Sequence, residues 1–137
     1  MSGKKVSFRA AGLYGGITQT MGVTSGVPAV QQSPVVDFLT ATLDEILEKA
    51  HAPRHIDFMS IDVEGAEYEA LRGLSLDKYQ VGAFAIEHNN EEPKRQMIRQ
   101  LLEAKGYRLV RSWYRDDWYA LHNLPYRFNL ALEIRGK

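Results

Sequence analysis

Short apolar runs along the chain predict two strands that are buried on both faces. The runs are 56–63, IDFMSIDV, and 81–87, VGAFAIE, and polar residues follow each of them. Runs of this length that contain β-branched and aromatic side chains are typical of the interior strands of a parallel sheet. A third strand is predicted over 4–13, where apolar residues alternate with polar or small ones.

Helices are predicted around these strands from the signals at their ends. Thr42 and Glu45 fit a capping box, in which each side chain accepts a hydrogen bond from the other's amide, so we expect a helix over 43–50. A short helix after the strand 56–63 is predicted to end at Gly73, because glycine commonly closes helices. A longer helix, with apolar positions at helical spacing, is predicted to end at Gly106.

Two further strands are predicted at 107–114 and 117–122, and their close spacing favours an antiparallel hairpin. Strands that alternate with helices imply a parallel sheet with right-handed crossovers. The predicted fold class is therefore α/β, with a mostly parallel sheet and a carboxyl-terminal antiparallel hairpin. No internal boundary is evident, so residues 1–137 are predicted to form a single domain.

The stretch 15–34 is rich in glycine, serine, threonine, proline and glutamine. This composition predicts a long loop, and long loops are uncommon in compact domains unless they are functional or mobile. The composition favours a mobile loop without a function, and a functional loop remains the second interpretation.

Composition narrows the classes of function. The chain has 137 residues with 17 basic and 17 acidic side chains, so its net charge carries no signature of nucleic-acid or anionic-membrane binding. It has no cysteine, which excludes a disulfide scaffold, a zinc finger and a thiol nucleophile. No apolar stretch resembles a signal peptide or reaches the length of a membrane span. We expect a cytoplasmic globular domain that binds neither nucleic acid nor membrane.

Polar residues that directly follow the two buried strands are the candidates for chemistry. Asp62 and Glu64 lie at the end of the first of these runs, and Glu87 and His88 lie at the end of the second. Ligands of open α/β sheets bind at the carboxyl ends of the strands, so neighbouring strands would bring both clusters to one crevice. A carboxylate or histidine in such a crevice can orient a substrate or accept its proton.

Other roles for these side chains stay open. Asp62 or Glu64 could instead cap the following helix, whose dipole favours carboxylates at its start. His88 could be a solvated residue at a strand end, and Glu67 is predicted to be an ordinary helix-surface residue. The trio of Asp62, Glu64 and Glu87 could assist hydrolysis through a hard cation, but its spacing is not specific for a metal and no metal is predicted.

Several motifs resemble those of the FkbM-type methyltransferases. The family carries a helix start TLDxxL, a strand that ends in IDVEGAE, and a later LxG, and residues 42–47, 61–67 and 71–73 match them. Glu87 resembles the family's acidic strand end. The resemblance covers roughly residues 35–115 and depends mainly on the IDVEGAE string.

The resemblance implies a Rossmann-like fold and methyl transfer from S-adenosylmethionine to an oxygen of a carbohydrate or other small-molecule acceptor, such as a natural-product hydroxyl. Asp62 and Glu64 would then lie at the methyl-donor end as catalytic residues. Asp62 and Val63 would contact the cofactor. Glu87 and His88 would line the neighbouring strand end and position the acceptor.

The chain also departs from the family pattern. The family's glycine-rich strand-turn-helix and its ribose-binding acid have no counterpart, since no apolar helix follows the glycines of residues 12–16. We therefore expect the carboxyl-terminal portion of a methyltransferase domain, with a partial Rossmann-like fold. A half sheet leaves apolar surface uncovered, which predicts a homo-oligomer. The alternative function is a non-catalytic half-fold that associates with itself or with a partner chain.

Overall fold

A computed structural model of the chain describes residues 2–22 and 26–123. These residues form seven strands, four α-helices and one 3-10 helix. In chain order they are β1 (Lys5–Arg9), the 3-10 helix (Gly12–Tyr14), β2 (Gly16–Ile17), α1 (Pro28–Gln31), β3 (Val35–Leu39), α2 (Leu43–Lys49), β4 (His55–Ile61), α3 (Glu67–Arg72), β5 (Gln80–Glu87), α4 (Glu92–Glu103), β6 (Tyr107–Trp113) and β7 (Asp116–Leu121).

The strands form two sheets. The smaller sheet has the order β2-β1-β3 and the larger sheet the order β4-β5-β7-β6. Both pairings of the smaller sheet are antiparallel. In the larger sheet β4 and β5 are parallel, as predicted, and β6 and β7 form the predicted antiparallel hairpin. The prediction that both strands are buried holds for β5 but is wrong for β4, which lies at the edge of the described sheet and has four exposed residues among its seven.

The prediction of a mostly parallel sheet is wrong. β7 lies between β5 and β6 and is antiparallel to both, so the larger sheet is mixed. The reason lies in the side chains of the hairpin. β7 carries Tyr119 and Ala120, which are buried, whereas β6 carries exposed Arg108 and Val110. The strand with residues that bury well takes the interior position, and the more polar strand takes the edge.

The smaller sheet lies partly outside the sequence prediction. The strand predicted over 4–13 is confirmed at its centre as β1, but the stretch 15–34 contains β2 and α1 as well as loop. β3 was not predicted, and all five of its residues are exposed. It pairs with β1 from Lys5 opposite Leu39 to Arg9 opposite Val35.

The hydrophobic core lies where α3 and α4 pack on the larger sheet. Its fully buried members include Phe84 and Ile86 of β5, Leu71 of α3, Leu102 of α4 and Tyr119 of β7. The Tyr107 hydroxyl donates a hydrogen bond of 2.7 Å to the Val81 carbonyl, which satisfies the polar tip of a buried ring.

The helices begin and end close to the predicted residues. α2 starts with the predicted capping box, since the Glu45 amide donates to the Thr42 hydroxyl at 3.2 Å and the Thr42 amide to the Glu45 carboxylate at 2.8 Å. Gly73 follows the last residue of α3. Within the described residues, every helix is too short or too polar to cross a membrane.

Candidate functional site

The register of β4 and β5 brings the two acidic clusters together. Ile61 pairs with Ile86 in the parallel ladder. The next residues, Asp62 and Glu87, therefore lie side by side at the carboxyl ends of the two strands. One carboxylate oxygen from each of Asp62, Glu67 and Glu87 lies within 4.8 Å of the others. The predicted convergence of acidic side chains is therefore present in the structure. It includes Glu67, which the sequence placed on the helix surface.

The connection between β4 and α3, residues 62–67, is called here the acidic turn. Glu64 has a φ of 52° and Gly65 a φ of 101°, so two consecutive residues lie in the left-handed region. Gly65 adopts this conformation without a steric penalty, whereas Glu64 does so at some cost. Strain of this kind persists only where the surrounding contacts enforce it, and it is common at functional sites.

Glu67 supplies the contact that shapes the acidic turn, and its prediction as a surface residue is wrong. It is 3% exposed, and its Oε1 accepts hydrogen bonds from the amides of Val63 at 3.1 Å and Gly65 at 2.9 Å. The N-cap of α3 is Ala66, which makes no side-chain cap, so the interpretation of Asp62 or Glu64 as helix caps is also wrong. Instead, the Glu67 carboxylate, in the first turn of α3, accepts from the amides of Val63 and Gly65 that precede the helix.

We expect Glu67→Ala to lower the free energy of unfolding by about 2–4 kcal/mol, because two amides of the acidic turn would lose a charged acceptor in a buried position. Denaturant unfolding followed by circular dichroism measures the change. Glu69→Ala is the matched control, since Glu69 is exposed on the same helix and has a similar helix propensity. Equal losses for the two variants would contradict the role given to Glu67.

The electrostatics of the site centre on Glu87. Burial raises its pKa, and the charges of Asp62 and Glu64, with a hydrogen bond to Asp62, raise it further, to about 7 from the ordinary 4.5. Burial also raises the pKa of Glu64, with help from the negative charges of Asp62 and Glu67 and against the positive charge of Arg115. Like charges this close disfavour the ionised form of Glu87, so its carboxyl is only partly ionised near neutral pH.

The turn after β5 fixes the position of the Glu87 carboxylate. The side-chain amide of Asn89 donates to Glu87 Oε2 at 2.6 Å. Asn89 and Asn90 have φ values of 45° and 59°, which asparagine tolerates better than most residues. The two asparagines after β5 therefore suit a turn with left-handed backbone angles. In this turn the side-chain amide of Asn89 donates to the carboxylate of Glu87.

His88 points into a different part of the molecule. It is 6% exposed, so the solvated interpretation is wrong. Its Nδ1 accepts from the Asn90 amide at 3.0 Å, and its Nε2 lies 3.7 Å from Asp117 Oδ1. Burial lowers the pKa of His88 and Arg95 lowers it further, while Asp117 acts against them. The neutral His88 imidazole therefore links the turn after β5, through Asn90, to Asp117 of β7.

Asp117 is the centre of a buried network that sequence reasoning missed. Its carboxylate accepts hydrogen bonds from Arg95 Nε at 2.7 Å, Arg95 Nη2 at 2.8 Å and the Ser112 hydroxyl at 2.6 Å. Burial acts to raise the pKa of Asp117, but the hydrogen bonds from Arg95 and Ser112 outweigh it and lower the pKa. The sequence contains one signal for a buried acid at this position, since Asp117 is followed directly by the aromatic residues Trp118 and Tyr119 of a predicted strand.

Val63, the other predicted cofactor contact, lies beside Asp62 in the acidic turn and is largely exposed. Its amide is held by Glu67, so its side chain has a fixed position at the tip of β4. The structure thus groups Asp62, Val63, Glu64 and Glu87 at the end of the parallel pair. It places His88 behind them, in the network of Asp117.

The arrangement is that of an α/β protein with acidic side chains grouped at the carboxyl ends of two neighbouring parallel strands. The family model for the FkbM methyltransferase domain matches residues 18–109. That range covers about two thirds of the chain and includes both acidic clusters. The chain therefore belongs to the FkbM methyltransferase domain family. No curated protein and no solved structure matches it.

Proposed function

We propose that this methyltransferase-family chain uses S-adenosylmethionine and transfers the methyl group to a hydroxyl of a carbohydrate or other small molecule. The observation that carries the proposal is the convergence of the Asp62, Glu67 and Glu87 carboxylates at the ends of two parallel strands. In this proposal the larger sheet is the carboxyl-terminal part of a Rossmann-like methyltransferase domain, whose ligands bind at that end.

The negative charge of the acidic side chains at the strand ends suits S-adenosylmethionine, which carries a positive sulfur and a positive amino group. Asp62 and Glu64 bring negative charge to the tip of β4, and the low dielectric beside buried Glu67 strengthens its effect. Asp62 is the residue that would hold the positive end of the cofactor, and Val63 beside it would contact the cofactor through its apolar side chain. When bound, S-adenosylmethionine supplies a methyl group that the positive sulfur makes reactive.

Glu87 is the proposed general base. A hydroxyl must lose its proton as its oxygen gains a methyl group, and the proton passes to the Glu87 carboxylate in this account. A pKa of about 7 leaves this carboxyl partly ionised near neutral pH while making it a better proton acceptor than an ordinary glutamate. Asp62 and Glu64 orient the hydroxyl, and His88 holds the adjoining turn through the Asn90 amide.

Calorimetric titration tests the proposal, with S-adenosylmethionine and S-adenosylhomocysteine as matched probes. The second compound lacks the positive charge at sulfur, so we expect Asp62→Asn to weaken binding of S-adenosylmethionine about tenfold and binding of S-adenosylhomocysteine much less. Lack of binding by the unaltered chain would contradict the proposal, and so would equal losses for the two compounds.

Exposed apolar residues of the smaller sheet favour the second candidate, a half-fold that associates with itself. β3 is an edge strand, and its residues Phe38 and Leu39 are 53% and 72% exposed. β4 is also an edge strand, and Phe58 on it is exposed. Open edges with apolar side chains are typical of strands that pair with another chain.

Size-exclusion chromatography with light scattering measures this association. We expect the chain to elute as a dimer or larger species, and Phe38→Lys or Phe58→Lys to shift it toward the monomer, because a charge on the edge opposes pairing. The two variants separate the two edges. A monomer at all concentrations would contradict self-association and would leave methyl transfer unaffected.

The acidic cluster also bears on metal-assisted hydrolysis. The grouped carboxylates are Asp62, Glu67 and Glu87 rather than the trio with Glu64, and Glu67 already accepts two amide hydrogen bonds through Oε1. A thermal-shift series with magnesium and manganese measures this alternative. A rise in melting temperature that Asp62→Asn abolishes would favour it over a metal-free base at Glu87.

A further inference from the structure

The glycine-rich residues 16–22, called here the covering segment, lie against the acidic turn. A Cβ atom added to Gly16 would be 3.1 Å from the Glu64 carbonyl oxygen and 3.3 Å from the Glu64 Cβ. A Cβ atom on Gly65 would collide with the Thr20 carbonyl. The segment therefore packs against Glu64, a predicted catalytic residue, and against Gly65, and at both places a glycine allows a close backbone approach.

Lys94, near the start of α4, joins the two pieces of backbone. Its Nζ donates to the Thr20 carbonyl at 3.0 Å and to the Gly65 carbonyl at 2.9 Å. It also lies 2.6 Å from the Glu91 carboxylate. An ammonium group has three protons, and here three acceptors surround it, one from the covering segment, one from the acidic turn and one from the helix.

The covering segment has its own anchors on the opposite side. The Thr18 amide donates to the Ser7 carbonyl of β1 at 2.9 Å, and β2, which begins the segment, pairs with β1. Within the segment, the Thr20 and Met21 amides donate to the Ile17 carbonyl at 2.9 and 3.0 Å and close a turn. The segment is thus held to the smaller sheet by backbone hydrogen bonds and to the site by one side chain. These contacts favour the second interpretation of this part of 15–34, a loop with a functional place beside the site.

We propose that Lys94 is a positioning residue that holds the covering segment on the acidic turn, so that segment and turn open and close together. The covering segment then forms one wall of the crevice beside Glu64. This inference rests on the proposed function for its consequence in cofactor binding, but the contact itself is independent of that function.

Amide hydrogen exchange measures the contact directly. The reporters are the segment amides of Thr18, Thr20 and Met21 and the turn amides of Val63 and Gly65, all of which donate hydrogen bonds. The variants are Lys94→Met, Lys94→Arg and the control Lys105→Met. Lys105 lies just after the same helix, and its substitution also removes a lysine charge and an ion pair, the 2.7 Å contact with exposed Asp77.

We expect exchange at the reporter amides to become about tenfold faster in Lys94→Met, because loss of a charged hydrogen-bond donor favours local opening. Lys94→Arg, which retains charge and donors, should restore part of the protection. Lys105→Met should leave the reporters unchanged. Unchanged rates in Lys94→Met would overturn the proposal, as would an equal acceleration at the core amides of β5, which would indicate global destabilisation.

Titration with S-adenosylmethionine supplies the second readout. We expect Lys94→Met to weaken binding about tenfold, because the covering segment would no longer be held against the acidic turn. Lys94→Arg should recover part of the affinity, because arginine can hold the segment in place. Faster exchange with unaltered affinity would overturn the positioning role. If the unaltered chain does not bind S-adenosylmethionine, the proposed function fails, and the exchange rates alone decide whether Lys94 holds the turn.

Discussion

Asp117→Ala should lower the free energy of unfolding by about 3–5 kcal/mol, because it removes the buried partner of an ion pair and leaves Arg95 paired, among the described acidic side chains, only with exposed Glu92. Asp117 is 2% exposed, and Arg95 donates to both of its carboxylate oxygens. The change also removes the acceptor of Ser112 and the charge nearest to His88 Nε2. A loss of this size is a large part of the roughly 5–15 kcal/mol by which a typical domain is stable.

Denaturant unfolding at pH 7 measures the effect of Asp117→Ala. Asp77→Ala is the matched control, since Asp77 also pairs with a basic side chain, Lys105 at 2.7 Å, but its side chain is 85% exposed. An exposed pair contributes about 0–1 kcal/mol. The account would be contradicted if the two alanine variants lost similar amounts of stability.

Glu87→Gln should slow methyl transfer by about 10²–10⁴-fold, the usual loss when a general base is removed. The glutamine side chain keeps the shape of Glu87 and can still contact Asn89, but it cannot accept the proton. Folding should not suffer, because the raised pKa of Glu87 means that its ionised form is disfavoured in the native state. At pH 8 the variant should therefore be at least as stable as the unaltered protein.

The pH dependence separates this explanation from a general loss of structure. Activity of the unaltered protein should rise as pH increases through about 7, as Glu87 becomes ionised, whereas the residual activity of Glu87→Gln should lack this step. Glu103→Gln is the control, since Glu103 is exposed on α4 and pairs only with Arg99 in a surface ion pair among the contacts the structure describes. Activity of Glu87→Gln within about twofold of the control would contradict the general-base role.

The grouping of Asp62 and Glu87 could be predicted from the sequence because their positions follow from local rules. Two short apolar runs separated by a helix imply parallel neighbours, and parallel neighbours end at the same edge of a sheet. Asp62 and Glu87 were identified by their place after those runs alone. The capping box at Thr42 and the glycine after α3 were readable for the same reason, since each depends on residues a few positions apart.

Residues whose roles depend on distant neighbours could not be predicted in this way. Glu67 lies at a position where an exposed helical residue is common, and only the fold of the acidic turn brings the amides of Val63 and Gly65 to its carboxylate. Asp117 reads as the polar member of an alternating strand, yet Arg95 of α4 packs against it. Their burial is a property of tertiary packing rather than of local pattern.

The sheet order was missed for a related physical reason. A hairpin can join a sheet through either of its strands, and the choice depends on which strand buries its side chains better. Tyr119, fully buried in β7, gives that strand the interior position. The covering segment was read as mobile because glycine-rich composition predicts flexibility, whereas glycine at 16 and 65 here permits close packing.

Titration of the Glu87 side-chain carboxyl carbon by ¹³C NMR tests most directly whether Asp62 and Glu87 share one acidic crevice. In the unaltered protein the account predicts a midpoint at about 7, and in Asp62→Asn a midpoint that moves down toward the ordinary 4.5 because the nearby charge is gone. Glu103, exposed on α4, provides an internal reference. A Glu87 midpoint near 4.5 that Asp62→Asn leaves in place would contradict the account.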